Sequence, residues 1–399
     1  MTSRKHRYIK ISILSIIVII LIKLFFYSNS TTLSSPTYIK KTSPVRVKNY
    51  LQQQQVYSNK EKVKACIVIL ARNSNLYGVK ASVRQFEERF NHKFQYPYVF
   101  LNEEPFTEDF KHYVNLIIGP DRKVEYGLVD KTTMWSYPNF IDQEKAAKSR
   151  KIMASLDPEV PYADSESYRH MCRFQSGFFF RHPLLDPYEY YWRVEPDVDF
   201  FCDIDYDVFQ MMKDNGYKYG WNIAITEIPE TIPSLWNSTL KFMKNYPHYI
   251  KDSSESIMPW ILNEDATDYN GCHFWSNFEI GSLEFFRSKE YIDFFNHLDN
   301  EGGFFYERWG DAPVHSIAAA LMLKKDQIHF FNDIGYNHPP LLHCPTERYL
   351  QEKCHCDPER SVDWWDGSCA LPYKQLDPNF IWDEQTYYEK TNPYRIHSF

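Results

Sequence analysis

Apolar positions follow two periods along the chain once residue 61 is passed. Runs in which nearly every residue is apolar occupy 63–70 (VKACIVIL), 98–101, 115–118, 190–194 (YYWRV), 219–225 and 328–331, too short for helices and suited to strands covered on both faces. Between them, apolar residues recur at helical spacing. Val79, Val83, Phe86 and Phe90 mark one face of a helix predicted over 76–90, and 142–156 and 205–213 form further helices. The segment 312–323 (APVHSIAAALML) is the clearest helix, with Pro313 near its start. Strands alternating with helices predict an α/β sheet, and such sheets place ligands at the carboxyl ends of their strands.

The first sixty residues follow neither period. Arg4, Lys5, Arg7 and Lys10 precede an uncharged, mostly apolar run over 11–22 (ISILSIIVIILI), and Lys23 is followed by Leu24, Phe25, Phe26 and Tyr27. This stretch of about 17 residues is at the short end of what crosses a bilayer. A cleaved signal peptide is the rival reading, but bulky LFFY stands where a small-x-small cleavage site belongs. The expected organisation is a cytosolic tail over 1–10, a signal-anchor helix over 11–27, a Ser/Thr/Gln-rich extended stem over 28–60 and a lumenal domain over 61–399. So short a span suits the thinner membranes of the early secretory pathway.

Composition adds exclusions. The chain has 399 residues, 43% hydrophobic and 24% charged, which rules against disorder and a multi-pass membrane protein. The net charge is −7, yet residues 1–60 hold ten Lys/Arg and no Asp/Glu, leaving the remainder 35 basic against 52 acidic residues. A body that acidic repels a phosphate backbone, so no nucleic-acid partner is expected. Eight cysteines (Cys66, Cys172, Cys202, Cys272, Cys344, Cys354, Cys356 and Cys369) favour disulfides in a lumenal setting. A zinc site is the alternative, against which the C-x9-C-x-C-x12-C spacing at the C-terminus offers no CxxC knuckle. Cys354 and Cys356 stand too close to bond each other easily, so each is expected to pair elsewhere, with Cys344 and Cys369 nearest in sequence and the other four open. Sequons at Asn29 and Asn237 fit the same compartment.

Four places carry candidate chemistry. In YYWRVEPDVDFFCDIDYD an apolar strand runs into Glu195, Asp197 and Asp199, with Pro196 ending the strand at a fixed point. Hard oxygen ligands there suit Mg or Mn on a diphosphate. The following Asp203, Asp205 and Asp207 read as a solvated loop, with Asp203 or Asp205 capping the next helix. Glu279 lies among aromatics in CHFWSNFEIGSLEFF, where a carboxylate needs a partner or a task, and Gly281 would let a ligand approach the backbone. Asp311 stands at the mouth of the clearest helix, as an N-cap or as a site residue, and His338 precedes two prolines that hold it extended in a loop. Trp135, Trp236, Trp260, Trp275 and Trp309 are flat enough to stack on sugars, although core packing accounts for most such rings.

The strings YWRVEPDVDFFCDIDYDVF, ITEIPETIPSLW, WSNFEIGSLEFFRS, ERWGDAPVHSIAAALML and GYNHPP resemble the fungal Golgi α-1,2-mannosyltransferases, family 15 of the glycosyltransferases, from about Ala65 to the C-terminus. The resemblance implies a type II Golgi membrane enzyme with one large GT-A-like α/β domain and a mixed central sheet. It implies transfer of mannose from GDP-mannose to mannose-terminated glycans of N-linked, O-linked or cell-wall mannan type, with Mn²⁺ and retention. By resemblance, Glu195 and His338 are the metal ligands and Glu279 the nucleophile or the stabiliser of the anomeric carbon. Tyr168 is implied near the donor mannose, Arg72 near the GDP, Asp311 near the sugar or acceptor, and Glu227 along the site. Family members vary between Asp and Asn at the position of Asp197, which places that residue beside the cofactor rather than on the metal. Two other readings stay open: a catalytically silent membrane-tethered lectin, and a transferase of mannosyl phosphate or of another hexose.

Overall fold

A segment apolar at every position needs cover on both faces, and Ala65–Leu70 (β1) obtains it. Cys66 and Val68 enter one buried cluster, while Ala65, Ile67 and Ile69 enter the other across the sheet. The computed structural model describes residues 62–156, 160–374 and 376. The expected tail, anchor and stem lie outside these residues, and no helix among the described residues is long and apolar enough to cross a membrane.

The strands after β1 are β2 (Tyr98–Asn102), β3 (Val124–Leu128), β4 (Tyr190–Arg193), β5 (Asp199–Phe200), β6 (Tyr219–Trp221), β7 (Ala224–Thr226), β8 (Cys272–Phe274), β9 (Glu279–Ser282), β10 (Ile328–Phe330), β11 (Tyr336–His338) and β12 (Leu341–His343). Seven of them form the central sheet in the order β10-β6-β9-β4-β1-β2-β3. β9 runs antiparallel to both β4 and β6 while the other neighbours are parallel, so the sheet is mixed and the amino end of β9 lies at the carboxyl ends of β4 and β6. A small sheet, β12-β11-β5, fastens the segment after Glu195 to the NHPP segment.

Three expectations change. Residues 115–118 are not a strand but the end of the helix Glu108–Ile118, where Phe110, Val114 and Ile118 are buried at helical spacing and Thr107 Oγ1 accepts from the Phe110 amide at 3.2 Å. The run 219–225 divides into β6 and β7, which belong to different sheets, with buried Asn222 between them. The helix after the acidic segment is Val208–Asp214, capped by Asp207, whose carboxylate accepts from the Gln210 amide at 3.1 Å, rather than by Asp203 or Asp205.

The bridges are Cys202–Cys354, Cys272–Cys369 and Cys344–Cys356, while Cys66 and Cys172 are buried thiols. Cys354 and Cys356 thus pair elsewhere, one of them with Cys344. Cys202, Cys354 and Cys356 gather their sulfurs within 4.8 Å, but all three are disulfide-bonded and so supply no thiolate for zinc.

Candidate active site

The carboxyl end of β4 is where burial and charge collide. Arg193 is its last residue, 8% exposed, and a guanidinium so placed needs anionic partners. It has two. Its Nε reaches Glu195 Oε1 at 2.6 Å, just beyond the strand, and its Nη1 reaches Asp311 Oδ2 at 2.6 Å, in the first turn of the helix Asp311–Met322. Ser276 Oγ donates to the same Asp311 oxygen at 2.7 Å. Burial alone would raise the Asp311 carboxyl pKa, and Arg193 beside it holds it below the usual range. Asp311 is therefore not the helix N-cap, a position taken by Gly310.

His338 arrives from the other side. Asn337 pairs with Asp199 across the β11–β5 ladder, and its side-chain amide donates to Asp199 Oδ2 at 2.9 Å, which sets His338 beside the Glu195 turn. The His338 ring meets the edge of Trp275 with centroids 5.1 Å apart. Glu195 and His338 both line a cleft of about 640 Å³ that extends to Arg72, Tyr168, Glu227 and Asp311. Glu195 Oε2 and His338 Nε2 carry no hydrogen bond among the described residues. One carboxylate oxygen and one imidazole nitrogen facing a shared cleft fit a divalent cation of the Mn²⁺ type.

The Arg72 and Tyr168 side of the cleft has its own scaffold. Arg72 is half-exposed after β1, its Nε on Glu103 Oε1 at 2.9 Å and its Nη2 on Ser167 Oγ. Tyr168 stacks against Tyr162 with centroids 4.5 Å apart and planes 8° from parallel. Arg308 lies 5.3 Å from the Tyr168 ring centroid and pairs with Glu227 at 3.7 Å.

With this geometry in hand, the similarity to known proteins is specific. The chain matches the glycolipid 2-alpha-mannosyltransferase family over residues 27–378. It belongs to that family. The match extends upstream of Ala65 into the stretch 28–60. The chain is 51% identical over 322 residues to glycolipid 2-alpha-mannosyltransferase 1 of Candida albicans, covering 80% of this chain and 73% of that one. Among solved structures, core-mannan synthase A (CmsA/Ktr4) of Aspergillus fumigatus in its Mn/GDP form superposes with TM-score 0.73 at 40% identity, over 80% of this chain and 86% of that one. The mannosyltransferase Ktr4p of Saccharomyces cerevisiae in complex with GDP superposes with TM-score 0.75 at 37% identity, over 88% and 96%. The mixed central sheet is that of a GT-A-like glycosyltransferase.

Two residues that the mannosyltransferase resemblance nominated lie off the cleft wall. Glu279 is 1% exposed at the start of β9, opposite Arg193 in the ladder. Its carboxylate accepts from the Tyr191 hydroxyl and from the Tyr219 hydroxyl at 2.6 Å, and lies 2.7 Å from His315 Nδ1. A methyl at Gly281 would overlap the Tyr191 and Phe286 rings, so that glycine admits side-chain packing and not a ligand. Asp197 is exposed, in the left-handed backbone region at φ 59°, with its carboxylate against Gly78 in the first turn of the helix Leu76–Phe86. Any side chain at Gly78 would displace it.

The remaining aspartates serve the fold, Asp199 included, which the sequence grouped with Glu195 and Asp197. Asp199 takes Gln85 at 2.7 Å, Asp203 takes Arg89 at 2.6 Å, and Asp205 takes Lys93 and Lys353 at 2.7 and 2.5 Å. Of the tryptophans, Trp135 and Trp275 line the cleft, while Trp236, Trp260 and Trp309 are buried. Sequence reasoning missed Arg193, Glu103, Ser276 and Arg308. Arg193 had a signal, since a charge inside the apolar run YYWRV demands a partner by the same argument applied to Glu279.

Proposed function

We propose that this chain is a retaining α-1,2-mannosyltransferase that moves mannose from GDP-mannose to the mannose terminus of a glycan or glycoprotein. The observation that carries the reading is the pair Glu195 and His338, each with an open ligating atom on one cleft, with Glu195 joined through Arg193 to an ionised Asp311. Bound Mn²⁺ would offset the charge of the departing GDP diphosphate. Glu195 and His338 are the residues that would hold it.

The chain's own groups then divide the work. Arg72 is cationic and half-exposed, placed to meet the nucleotide at the carboxyl end of β1. Tyr168, which lines the cleft, covers the donor mannose. Asp311, whose Oδ1 carries no hydrogen bond among the described residues, orients the sugar or the acceptor hydroxyl. Glu227 lines the wall beside Arg308. Asp197 steadies the turn that presents Glu195. Glu279 acts on the anomeric carbon in one of two ways. Its buried carboxylate supports developing positive charge through the low-dielectric floor, or Tyr191 and Tyr219 release it to attack C1 as the bond from C1 to GDP breaks, after which the acceptor hydroxyl displaces it.

The same proposal places residues 11–27 in the Golgi membrane, with the catalytic domain lumenal and 28–60 as its stem. The test is to express 61–399 as a secreted protein and incubate it with GDP-mannose, Mn²⁺ and a panel of mannosides. The expected product carries an added α-1,2-linked mannose. GDP release without transfer, a phosphodiester product, or activity only with another sugar nucleotide would each remove the reading.

A further inference from the structure

Tyr162 is an unusual residue for a surface loop. Its backbone φ is 58°, in the left-handed region that bulky side chains avoid, and the residue is 60% exposed where it lines the cleft. Such a conformation persists only where the surroundings over-determine it. Here one buried guanidinium does so. Arg169, 1% exposed, donates from Nη1 to the carbonyls of Tyr162 at 3.3 Å and Ser165 at 2.9 Å, and from Nη2 to that of Ala163 at 2.8 Å. Its Nε is fixed by the Glu307 carbonyl at 3.0 Å. The Ser165 amide closes the turn onto the Tyr162 carbonyl at 3.0 Å.

This clamp presents one ring. The inner face of Tyr162 lies flat on Tyr168, so the exposure belongs to the outer face and edge. An aromatic held rigidly and left bare at the mouth of a sugar-transferring cleft matches the C–H face of a hexose. The donor sugar must sit inside Tyr168, beside the reacting carbon, which leaves the Tyr162 face for the acceptor chain that protrudes toward solvent. We propose that the outer face of Tyr162 is a carbohydrate subsite for the acceptor residue next to the mannose that receives transfer, so that the preferred acceptor has at least two mannose units. The proposal rests on the mannosyltransferase reading for its orientation, but its binding is measurable without turnover.

The experiment compares parent, Tyr162→Ala and Tyr162→Trp, in the chain carrying residues 61–399. Ligand-observed NMR with mannobiose and methyl mannoside reads binding directly, and KM for the same two sugars reads it in turnover. The parent is expected to bind mannobiose more tightly than methyl mannoside. Tyr162→Ala is expected to raise the mannobiose KM and dissociation constant roughly 5- to 10-fold, with GDP affinity, kcat and the methyl mannoside KM unchanged. Tyr162→Trp is expected to retain the preference. Equal affinity of the parent for the two sugars, equal losses for both sugars in Tyr162→Ala, or a loss of GDP affinity in that variant would overturn the subsite. Tyr162-dependent mannobiose binding without any transfer would leave the subsite standing and remove the mannosyltransferase reading instead.

Discussion

Two buried histidine–carboxylate pairs with closely similar local geometry sit in different regions of the molecule. Beneath the cleft, His315 Nδ1 lies 2.7 Å from Glu279 and its Nε2 lies 3.2 Å from the Gln175 carbonyl. In the C-terminal segment, His343 Nδ1 lies 2.7 Å from Asp363 and its Nε2 lies 3.0 Å from the Asn332 carbonyl. What separates them is position. Glu279 begins a strand at the open ends of the sheet, opposite Arg193, which itself holds Glu195 and Asp311. Asp363 instead takes Ser361 at 2.7 Å, and His343 adjoins Cys344 of the Cys344–Cys356 bridge. If Glu279 acts on the sugar as proposed, local geometry does not distinguish chemistry from architecture, and contact with open strand ends does. On this view, changes around the cleft should lower turnover and leave stability, and changes in the C-terminal segment should do the reverse.

The largest effect tests the cleft half of that statement. Chelation should abolish transfer and Mn²⁺ restore it, and Glu195→Ala or His338→Ala should each lower kcat/KM by on the order of 10³ or more. Mn²⁺-dependent GDP binding, followed by calorimetry, should weaken in both variants while the thermal midpoint holds. Unchanged Mn²⁺ affinity in both would dissolve the ligand pair.

Next comes the C-terminal half. Replacing Cys344 and Cys356 together by serine opens a bridge with a sequence separation of 12 and should cost about 3 kcal/mol in a denaturant titration. Turnover per folded molecule should stay at the parental level. If activity fell in proportion to stability, the two regions would be one cooperative site and the contrast would fail.

Glu279→Gln lies between these extremes. A carboxylate that supports charge only as the C1–O bond breaks should lose on the order of 10² in kcat when neutralised, with GDP and Mn²⁺ binding near parental values. Asp363→Asn, the matched change in the other pair, should leave kcat intact and lower the unfolding free energy by roughly 1–3 kcal/mol. A Glu279→Gln enzyme with parental kcat would make the two pairs equivalent, both architectural. Trapping a mannosyl adduct on Glu279 would select the nucleophilic route.

The contrast also marks what was legible in the chain. The strand before Pro196 could be read locally, because an apolar run ended by proline is a short-range signal, and Glu195 stood out there as a candidate oxygen ligand, whereas His338 became its partner only through the family resemblance. Glu279 was readable as a carboxylate in need of partners, but those partners, Tyr191, Tyr219 and His315, come from three other segments that only the fold unites. Residues 115–118 misled because three apolar residues in a row, Leu116 to Ile118, hide the helical spacing of Phe110, Val114 and Ile118. That Cys354 and Cys356 bond elsewhere follows from covalent geometry, whereas the choice of Cys202 for Cys354 depends on a long-range bridge between their backbones.

The smallest effect concerns pH. Burial alone would lower the His343 pKa, but the Asp363 carboxylate, with the Asn332 carbonyl on the far nitrogen, overrides it and raises the net value. A histidine whose folded pKa exceeds its unfolded value binds its proton more tightly in the native state. Its contribution is therefore complete below the unfolded pKa of about 6.5 and is lost as pH rises through the higher folded value. Unfolding free energies measured across this window should fall with rising pH more steeply in the parent than in His343→Asn, and subtracting the two slopes removes every other titrating group. Hydrogen exchange should place the loss in 341–365 and leave the strand ends around Glu279 protected. Parallel slopes would show that His343 is neutral throughout and that Asp363 holds it by hydrogen bonding alone. A slope of opposite sign would mean that the folded state disfavours the proton, and the pair would brace the C-terminal segment by packing instead of charge.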